Sequence, residues 1–432
     1  MIWNKVEQIS HEELREIQSK NLRDTVKRVY ENVPYYAKKM DDIGLKPSDI
    51  KSVYDLHKLP FTYKSDLRDN YPFDTFAVPL EDVVRVHASS GTTGKQTVVG
   101  YTKDDINMWS ECVARALTAA GVTKKDIMHI AYGYGLFTGG LGLHYGAEKV
   151  GATVVPASSG NTSRQINLIK DFKATVLACT PSYALYLADE MKDQGIKKED
   201  LNLRIGIFGA EPWTQEMRND IENKLGIKAY DIYGLSEIAG PGVSISCENN
   251  CGMHIAADNF IPEIINPRNG EVLGEGMEGE LVISCVTKQA LPLLRYRTKD
   301  LSKIYYKKCL CGRTTPRMEK IKGRADDMLI IRGVNVFPSQ IESVLLKFAK
   351  VEPHYIIYVD RINNLDVMKI EVEMSEDLFS DEIKNIEKLE KKLNTEMHNL
   401  LGISAIIKLV EPKSVARSTG KSKRVIDNRK LY

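Results

Sequence analysis

Residues 127–132 read IMHIAY, and from here to residue 232 short apolar runs alternate with helical stretches. The further apolar runs are ATVVP (152–156), TVLAC (175–179), RIGIFG (204–209) and KAYDIY (228–233). The helical stretches are RQINLIKDF (164–172), SYALYLADEMK (182–192) and TQEMRNDIENKL (214–225). Strands that alternate with helices are typical of βαβ units, in which the strands lie parallel. The sequence therefore predicts an α/β fold built around a largely parallel sheet.

The regions outside this stretch have different hydropathy patterns and compositions. Residues 1 to about 75 predict helices with polar faces, as in HEELREIQSKNLRDTVKRVYENV (11–33). Residues 241–320 alternate in hydropathy and carry many glycines, which predicts a β-rich part. We therefore predict a large N-terminal domain over residues 1–323.

The remaining residues, 324–432, predict a small mobile domain. The pattern β-α-β-β-α-β suggests a ferredoxin-like α+β fold. Its last helix is expected to bury an apolar stripe at helical spacing, formed by Ile386, Leu389, Leu393, Met397 and Leu400. The boundary near residue 323 is polar and bears glycine, as expected for a hinge.

Composition excludes several classes of protein. The chain carries 60 Lys and Arg against 58 Asp and Glu, a net charge of +2, which argues against a generally basic nucleic-acid-binding protein. Seven cysteines are an odd number, which argues against a closed disulfide framework. The N-terminal residues contain no apolar leader, and the uncharged run 127–147 contains glycines and histidines. We expect a cytoplasmic protein without a membrane-embedded segment.

The segment HASSGTTGK (87–95) predicts a phosphate-binding loop. Its glycines let the backbone approach an anion, its hydroxyl groups add donors, and Lys95 adds positive charge. It is not a Walker A loop, because only two residues separate Gly91 from Gly94 and neither Ser nor Thr follows Lys95. Alone, the segment is also compatible with a flexible polar loop.

The segment YGYGLFTGG (132–140) places aromatic side chains between glycines. Aromatic walls with little side chain opposite them leave a flat slot that suits an aryl group. The alternative interpretation is that these rings are ordinary core residues.

Two cysteine-rich segments predict a structural zinc site. Cys247, Cys251 and His254 lie close together in the sequence, and Cys309 and Cys311 form a second group. Five candidate ligands compete for four positions, and local spacing favours Cys251 with His254. Free thiols in surface loops are the alternative.

Several segments, in order, resemble the motifs of the adenylate-forming enzymes, which include acyl-CoA synthetases, firefly luciferase and peptide-synthetase adenylation domains. They are SSGTTGK (89–95), FGAEP (208–212), YGLSE (233–237), YRTKD (296–300), KGRADD (322–327), IIRG (330–333) and STGK (418–421). The longer strings VHASSGTTGKQTVVGYT, YGYGLFTGGLG and GRADDMLIIRGVNVFPSQIE narrow the resemblance to the phenylacetate–CoA ligase subfamily.

The resemblance implies a reaction in two halves. A carboxylate attacks the α-phosphate of ATP, giving an acyl-adenylate and pyrophosphate, and the thiol of coenzyme A then takes the acyl group and releases AMP. It implies that Lys421 stabilises the charge developing at the α-phosphate and that Glu237 holds Mg²⁺. It also implies that the nucleotide is bound by Ser89, Ser90, Gly91, Thr92, Thr93, Gly94, Lys95, Ala210, Glu211, Pro212, Tyr233, Gly234, Ser236, Asp300, Arg324 and Arg332.

Further roles follow from the same resemblance. The acyl pocket is assigned to Tyr132, Phe137, Ala210 and Gly234, and the hinge pivot to Asp326. Zinc-bearing relatives tend to keep the positions of Cys247, His254, Cys309 and Cys311, which leaves Cys251 as the alternative ligand. The implied small molecules are an aryl-acetic acid, ATP and coenzyme A, and relatives are often homodimers.

The sequence departs from close relatives beside the first cysteine group. Ser246 stands where they often have Glu, and residues 256–258 read AAD where they often have Trp-Glu-Asp. We therefore keep two alternatives open, a different aryl or indolyl acid and an acceptor other than coenzyme A. A zinc-stabilised nucleic-acid-binding protein is a remote third, which the near-neutral charge opposes.

Overall fold

The computed structural model describes residues 1–89, 96–325, 329–331, 334–348, 351–362, 365–379, 383–416 and 424–429. They form two compact units. The larger contains Met1–Cys179, Glu190–Ala210 and Gly226–Ile321, and the smaller contains Thr180–Asp189, Glu211–Leu225 and Lys322–Tyr432. The smaller unit thus takes two segments from the middle of the chain, which the predicted division at residue 323 had placed in the N-terminal domain. That predicted boundary stays a prediction.

The helices and strands are bounded as follows. The α-helices are α1 (His11–Asn32), α2 (Pro34–Asp41), α3 (Lys64–Asp69), α4 (Lys103–Ala119), α5 (Gly139–Val150), α6 (Thr162–Asp171), α7 (Pro181–Asp193), α8 (Gln215–Leu225), α9 (Pro338–Leu345), α10 (Glu376–Phe379) and α11 (Ile383–Leu401). The strands are β1 (Arg85–Ala88), β2 (Val98–Tyr101), β3 (Ile127–Ile130), β4 (Thr153–Val155), β5 (Val176–Cys179), β6 (Ile205–Gly209), β7 (Lys228–Leu235), β8 (Gly240–Ser246), β9 (Met253–Ile255), β10 (Phe260–Ile265), β11 (Gly279–Cys285), β12 (Tyr296–Ser302), β13 (Ile304–Tyr305), β14 (Arg317–Met318), β15 (Gly323–Arg324), β16 (Leu329–Ile331), β17 (Val334–Val336), β18 (Val351–Ile362), β19 (Leu365–Met374), β20 (Ile406–Val410) and β21 (Val425–Asp427). Within the described ranges, no helix combines the length and apolar composition needed to cross a bilayer.

The N-terminal helices form because their ends are capped and one face is apolar. At the start of α1, Ser10 Oγ accepts a hydrogen bond from the Glu13 N–H, and the Glu13 carboxylate accepts one from the Ser10 N–H. Along α1 and into α2, side chains spaced three or four residues apart are buried in one cluster, which includes Leu22, Val26 and Val29.

The larger unit is built on a sheet with the strand order β13-β14-β9-β8-β7-β6-β5-β3-β4. The strands from β4 to β7 are parallel neighbours, whereas those from β7 to β13 pair antiparallel. All residues of β5 and β6 are buried, as expected for strands covered on both faces. The predicted α/β fold is confirmed, and the apolar runs between residues 127 and 233 form the parallel part of a mixed sheet.

The carboxyl ends of β6 and β7 lie side by side at one edge of this sheet. Gly209 ends β6, and a Cβ at this position would lie 2.1 Å from the Ile232 carbonyl oxygen. Only glycine therefore allows the two strands to pair so closely. Ala210 follows with a φ of 71°, which turns the chain sharply away from the sheet. This edge is where open α/β sheets bind their ligands.

The C-terminal part of the smaller unit has its own core. Its sheet has the order β20-β19-β18-β21, with β18 and β19 antiparallel and the two outer strands parallel to their neighbours. This differs from the predicted element pattern β-α-β-β-α-β at both of its ends. The residues expected to form the first strand instead pair with each other as the hairpin β16–β17, and β21 takes the fourth place in the sheet.

The apolar stripe of α11 needs one correction. Ile386, Leu389, Leu393 and Met397 pack into the small core as predicted, but Leu401 completes the stripe. Leu400 is 44% exposed, so its prediction as a core residue was wrong. Steps of four residues from Leu389 lead to Leu401, and position 400 lies about 100° away around the helix.

Candidate active site

Tyr233 and Asp300 come together at the carboxyl edge of the large sheet. Tyr233 lies near the end of β7, Asp300 lies in β12, and both are buried. The Tyr233 hydroxyl donates a hydrogen bond of 2.7 Å to Asp300 Oδ2. The structure thus joins two residues that the sequence analysis assigned to the bound nucleotide.

The turn after β7 carries the other predicted residues of this motif. At Gly234 a Cβ would lie 1.7 Å from the Gly240 carbonyl oxygen, so this position requires glycine. Ser236 Oγ lies 3.1 Å from the Thr138 hydroxyl oxygen. The N–H groups of Ile238 and Ala239 both donate to the Leu235 carbonyl, which closes the turn around Glu237.

Glu237 is buried, and its carboxylate meets a cation that the sequence analysis did not predict. Lys64 Nζ lies 3.0 Å from Glu237 Oε1, and 39% of the Lys64 side chain is exposed. Lys64 is the first residue of α3, in the N-terminal helical segment to which no function had been assigned. A lysine that opens a short polar helix is common, and its partner is far away in the sequence, so no local pattern could have identified the pair.

The phosphate-loop segment is held at its base by a β-hairpin. Strands β1 and β2 pair antiparallel, and the Ser89 N–H donates to the Thr97 carbonyl. The Ala88 N–H donates to the Leu136 carbonyl, so the base of the loop lies beside the aromatic and glycine-rich segment. Of the predicted loop residues the structure places Ser89, whereas Ser90, Gly91, Thr92, Thr93, Gly94 and Lys95 lie outside the described residues.

Other predicted residues are placed only in part. Asp326, Arg332 and Lys421 lie outside the described residues, and Arg324 lies in β15 of the smaller unit. In that same unit Glu211 Oε1 accepts a 2.7 Å hydrogen bond from the Ser182 N–H at the start of α7. Pro212 follows Glu211 directly along the chain.

The segment from Tyr132 to Gly140 packs tightly. The Tyr132 hydroxyl donates to the Cys179 carbonyl at 2.5 Å and lies 3.3 Å from the Gly209 carbonyl oxygen, which ties the segment to the ends of β5 and β6. A Cβ at Gly140 would lie 2.8 Å from the Gly133 carbonyl oxygen, so glycine is required there. The Phe137 side chain is 50% exposed, which leaves its ring free to contact a ligand.

Tyr134, a neighbour in this segment, is held by a chain of polar contacts that the sequence analysis missed. Its hydroxyl lies 3.2 Å from His144 Nδ1, and His144 Nε2 lies 3.1 Å from a Glu148 carboxylate oxygen. The pKa of Tyr134 is raised, first by burial and then by the negative charge of Glu148. His144 and Glu148 are four residues apart on α5, a spacing that brings side chains together on a helix.

The candidate metal centre gathers four of the five predicted ligands. The ligand atoms of Cys247, His254, Cys309 and Cys311 all lie within 4.8 Å of one another. Tetrahedral zinc with Zn–S bonds of about 2.3 Å places two sulfur atoms about 3.8 Å apart. The Cys247 and Cys309 sulfur atoms are 3.8 Å apart, so this pair fits tetrahedral zinc. Cys251 is exposed and stands outside this cluster of four, although its sulfur lies 3.0 Å from that of Cys309.

Contacts around the cluster orient its imidazole ligand and favour ionisation of one thiol, that of Cys311, whereas the pKa values of Cys247 and Cys309 are raised. Cys311 Sγ lies 3.3 Å from His254 Nε2, and His254 Nδ1 lies 3.3 Å from the Thr315 hydroxyl oxygen. Hydrogen bonds to Cys311, first from Cys247 and then from His254, hold the pKa of Cys311 far below its usual range. A second contact that fixes the ring orientation is common for histidine ligands of metals.

The N-terminal residues are anchored on the loop that carries Cys309 and Cys311. Arg313 is buried, its Nε lies 2.8 Å from Glu7 Oε2, and one guanidinium nitrogen donates to the Met1 carbonyl. The Thr314 N–H donates to the Glu7 carbonyl. The geometry of the metal centre is therefore coupled to the position of the first residues of the chain.

The residues that depart from close relatives serve local structure. Ser246 Oγ accepts a hydrogen bond from the Asp231 N–H, and the Ala257 carbonyl accepts one from Gln18 Nε2. One guanidinium nitrogen of Arg115 donates to both carboxylate oxygens of Asp258, at 2.8 and 2.9 Å. These contacts hold the altered loop in place.

Comparisons with known proteins agree with this geometry. An AMP-binding enzyme model matches residues 4–287, and a model of the AMP-binding enzyme C-terminal domain matches residues 333–429. The phenylacetate-coenzyme A ligase of Escherichia coli (strain K12) is 51% identical over 430 residues, covering 99% of this chain and 97% of that protein. The protein of the same name from Thermus thermophilus is 49% identical over 444 residues and covers 100% of both chains. A crystal structure of 2-hydroxyisobutyryl-CoA ligase in complex with 2-HIB-AMP matches with a TM-score of 0.93 at 28% identity, covering 98% of this chain and 92% of that chain.

Proposed function

The chain belongs to the family of AMP-binding enzymes, the adenylate-forming enzymes, and on that premise we propose that it is an AMP-forming ligase that joins an aryl-acetic acid to coenzyme A. In the first half-reaction the acid and ATP give an acyl-adenylate and pyrophosphate. In the second, the CoA sulfur bonds to the acyl carbon, the acyl–phosphate bond breaks, and AMP leaves. Phenylacetate is the proposed acid, since relatives about 50% identical over nearly the whole chain carry its name.

The observation that carries this proposal is the contact between Tyr233 and Asp300 beside the turn that holds Glu237. A flat ring and a carboxylate that can accept two hydroxyl groups suit a nucleoside at the carboxyl edge of the sheet. The buried Glu237 carboxylate, one turn away, suits a site for a hard cation.

The chemistry of the first half is charge compensation, because both the carboxylate and the triphosphate are anionic. When bound at Glu237, Mg²⁺ would supply positive charge to the phosphates. The ammonium of Lys64 forms an ion pair with the Glu237 carboxylate, so it also provides positive charge beside Glu237. Lys421, in the C-terminal motif, is proposed to stabilise the negative charge that develops between the carboxylate and the α-phosphate.

The aromatic and glycine-rich segment is the proposed binding site of the aryl group. Its base is fixed by the Tyr132 hydroxyl, and the half-exposed Phe137 ring is available to a ligand. The close approach of Gly140 to the Gly133 carbonyl oxygen fixes the backbone that carries these rings. Ala210 and Gly234, at the ends of β6 and β7, are proposed to face the carboxylate end of the acid.

Product analysis tests the proposal. The chain is incubated with ATP, Mg²⁺, CoA and a mixture of aryl, indolyl and aliphatic acids, and the products are identified by mass spectrometry. We expect AMP, pyrophosphate and phenylacetyl-CoA, and we expect Lys421→Ala to abolish acid-dependent ATP–pyrophosphate exchange. A CoA thioester of another acid would identify that acid, rather than phenylacetate, as the substrate. Formation of an adenylate without a CoA thioester would indicate a different acceptor. Formation of ADP instead of AMP would contradict the proposal.

We also propose that Cys247, His254, Cys309 and Cys311 hold a structural Zn²⁺, with no thiol acting as a nucleophile. Four ligands close the coordination shell, as in structural sites. Metal analysis of the purified chain is expected to give one zinc per chain. Cys309→Ser should lose it, whereas Cys251→Ser should keep it.

The proposed substrates also suggest where and how the enzyme works. Because ATP and CoA are consumed together, we propose that it acts in the cytoplasm. A homodimer is proposed by analogy with relatives, and light scattering of the purified chain tests it directly.

A further inference from the structure

Lys288 is a fully buried lysine in the loop between β11 and β12, and no motif accounts for it. Burying an ammonium is costly because water no longer solvates its charge. Burial accordingly lowers the pKa of Lys288 to about 8, while the carboxylates of Asp105 and Glu237 oppose that effect. The fold thus keeps an ionisable amine where an apolar side chain would be less costly.

The contacts of this ammonium point toward the nucleotide-binding elements. Lys288 Nζ donates a 3.2 Å hydrogen bond to the Ile238 carbonyl, in the residue directly after Glu237. It also lies 4.2 Å from the centre of the Tyr101 ring, where β2 of the phosphate-loop hairpin ends. One buried charge thus touches both the turn that carries Glu237 and the hairpin that supports the phosphate loop.

The carboxylate of Asp105 fixes the position of Lys288 without forming a direct bond to it. Asp105 Oδ1 accepts from the Gln289 N–H at 2.6 Å, and Oδ2 accepts from the N–H groups of Ala290 and Thr102 at 2.9 Å. These bonds tie the residues after Lys288 to the start of α4. Because the Asp105 oxygens serve backbone groups, the ammonium is left to hold the Ile238 carbonyl and the Tyr101 ring.

We infer that Lys288 is a positioning residue for the adenylation half-reaction. It holds the Glu237 turn against the phosphate-loop hairpin and places positive charge behind both. The inference rests on the proposed function, and it adds a residue that contacts neither substrate. Since Glu237 serves the step at the triphosphate, loss of Lys288 should impair adenylation and leave thioester formation from a finished adenylate intact.

The test measures the two half-reactions separately in Lys288→Met. Phenylacetate-dependent ATP–pyrophosphate exchange reports the first half, and CoA thioester formation from supplied phenylacetyl-adenylate reports the second. We expect the rate of exchange to fall about tenfold, because one hydrogen bond from a charged donor is lost. Thioester formation should stay within twofold, and the melting temperature should be unchanged or higher, because a buried charge has been removed.

Cys285→Ala is the matched control, since the Cys285 thiol also points at the Ile238 carbonyl, at 3.8 Å, but carries no charge. It should change exchange by less than twofold. If Lys288→Met does not fold, Lys288→Gln, which keeps a donor without the charge, is measured in the same way and should lose exchange selectively. Equal losses in both half-reactions, or an equal effect of Cys285→Ala, would overturn the inference. Absence of exchange in the unmodified chain with every acid would instead refute the proposed function.

Discussion

Replacing Tyr233 by Phe removes a single hydroxyl group, the donor that Asp300 accepts at 2.7 Å. Both residues are buried, so water does not readily replace the lost partner. A hydrogen bond to a charged group contributes about 1.5–3 kcal/mol. With tenfold per 1.4 kcal/mol, the loss corresponds to roughly a 10- to 100-fold effect.

The effect should fall on the nucleotide. If Asp300 accepts the ribose hydroxyls, an Asp300 carboxylate that has lost its anchor binds ATP less well. We expect kcat/KM for ATP to fall roughly 10- to 100-fold in Tyr233→Phe, while KM for phenylacetate changes by less than about twofold. The assay is pyrophosphate exchange at varied ATP with saturating acid, and circular dichroism confirms that the variant is folded.

Tyr305→Phe is the matched control. The Tyr305 hydroxyl also donates to a carboxylate, Glu319, at 2.9 Å, but Tyr305 lies in β13, four places from β7 in the sheet order. It should leave kcat/KM for ATP within about twofold. A folded Tyr233→Phe variant with the same kcat/KM for ATP as this control would refute the assignment of Asp300 to the ribose.

Three further predictions concern stability. Removal of metal by a chelator should lower the melting temperature and speed proteolysis of the first ten residues, because Arg313 and Thr314 anchor them beside the metal centre. An unchanged melting temperature and digestion pattern after complete metal loss would contradict this prediction. Leu393→Ala should lower the free energy of unfolding of the small core by about 2–5 kcal/mol, as measured with denaturant, whereas Leu400→Ala, at an exposed position, should lower it by less than about 0.5 kcal/mol. Equal losses would contradict the assigned buried face of α11. The pKa of Lys288 is lowered from 10.5 to about 8 in the folded chain, so between these pH values the unfolded chain binds more protons and the contribution of Lys288 to the free energy of unfolding rises with pH. The difference in free energy of unfolding between Lys288→Met and the parent should therefore shrink from pH 8 to 10.5. A constant difference would contradict the lowered pKa.

Much of the fold was predictable because its signals are local. The alternation of apolar runs and helical stretches between residues 127 and 232 identified the parallel sheet, since each βα unit repeats the same pattern. The capping box of Ser10 and Glu13 at the start of α1 is also a local signal, although the sequence analysis did not use it.

The errors arose where the pattern allowed two solutions. Leu400 and Leu401 are both apolar and adjacent, and only the packing of α11 decides that Leu401 is buried. Likewise, the apolar residues after 327 can form either a sheet strand or a separate hairpin. The place of β21 in the small sheet depends on parallel pairing with β18, a contact between residues far apart in the sequence.

The site shows the same division. Tyr233, Glu237 and Asp300 belong to compact motifs, and their assignment to the site stays a prediction. Lys64 and Lys288 belong to no motif, and each meets the Glu237 turn from a distant part of the chain. A lysine is usually exposed, so sequence alone cannot tell that one of these is fully buried.

The most direct test of the central claim follows one oxygen atom. If the acid carboxylate attacks the α-phosphate, phenylacetate labelled with ¹⁸O in its carboxyl group must transfer one labelled oxygen to AMP when CoA displaces the acyl group. Mass spectrometry of the AMP formed in one turnover should therefore show the label. Label in orthophosphate, or unlabelled AMP beside labelled thioester and water, would contradict an acyl-adenylate intermediate.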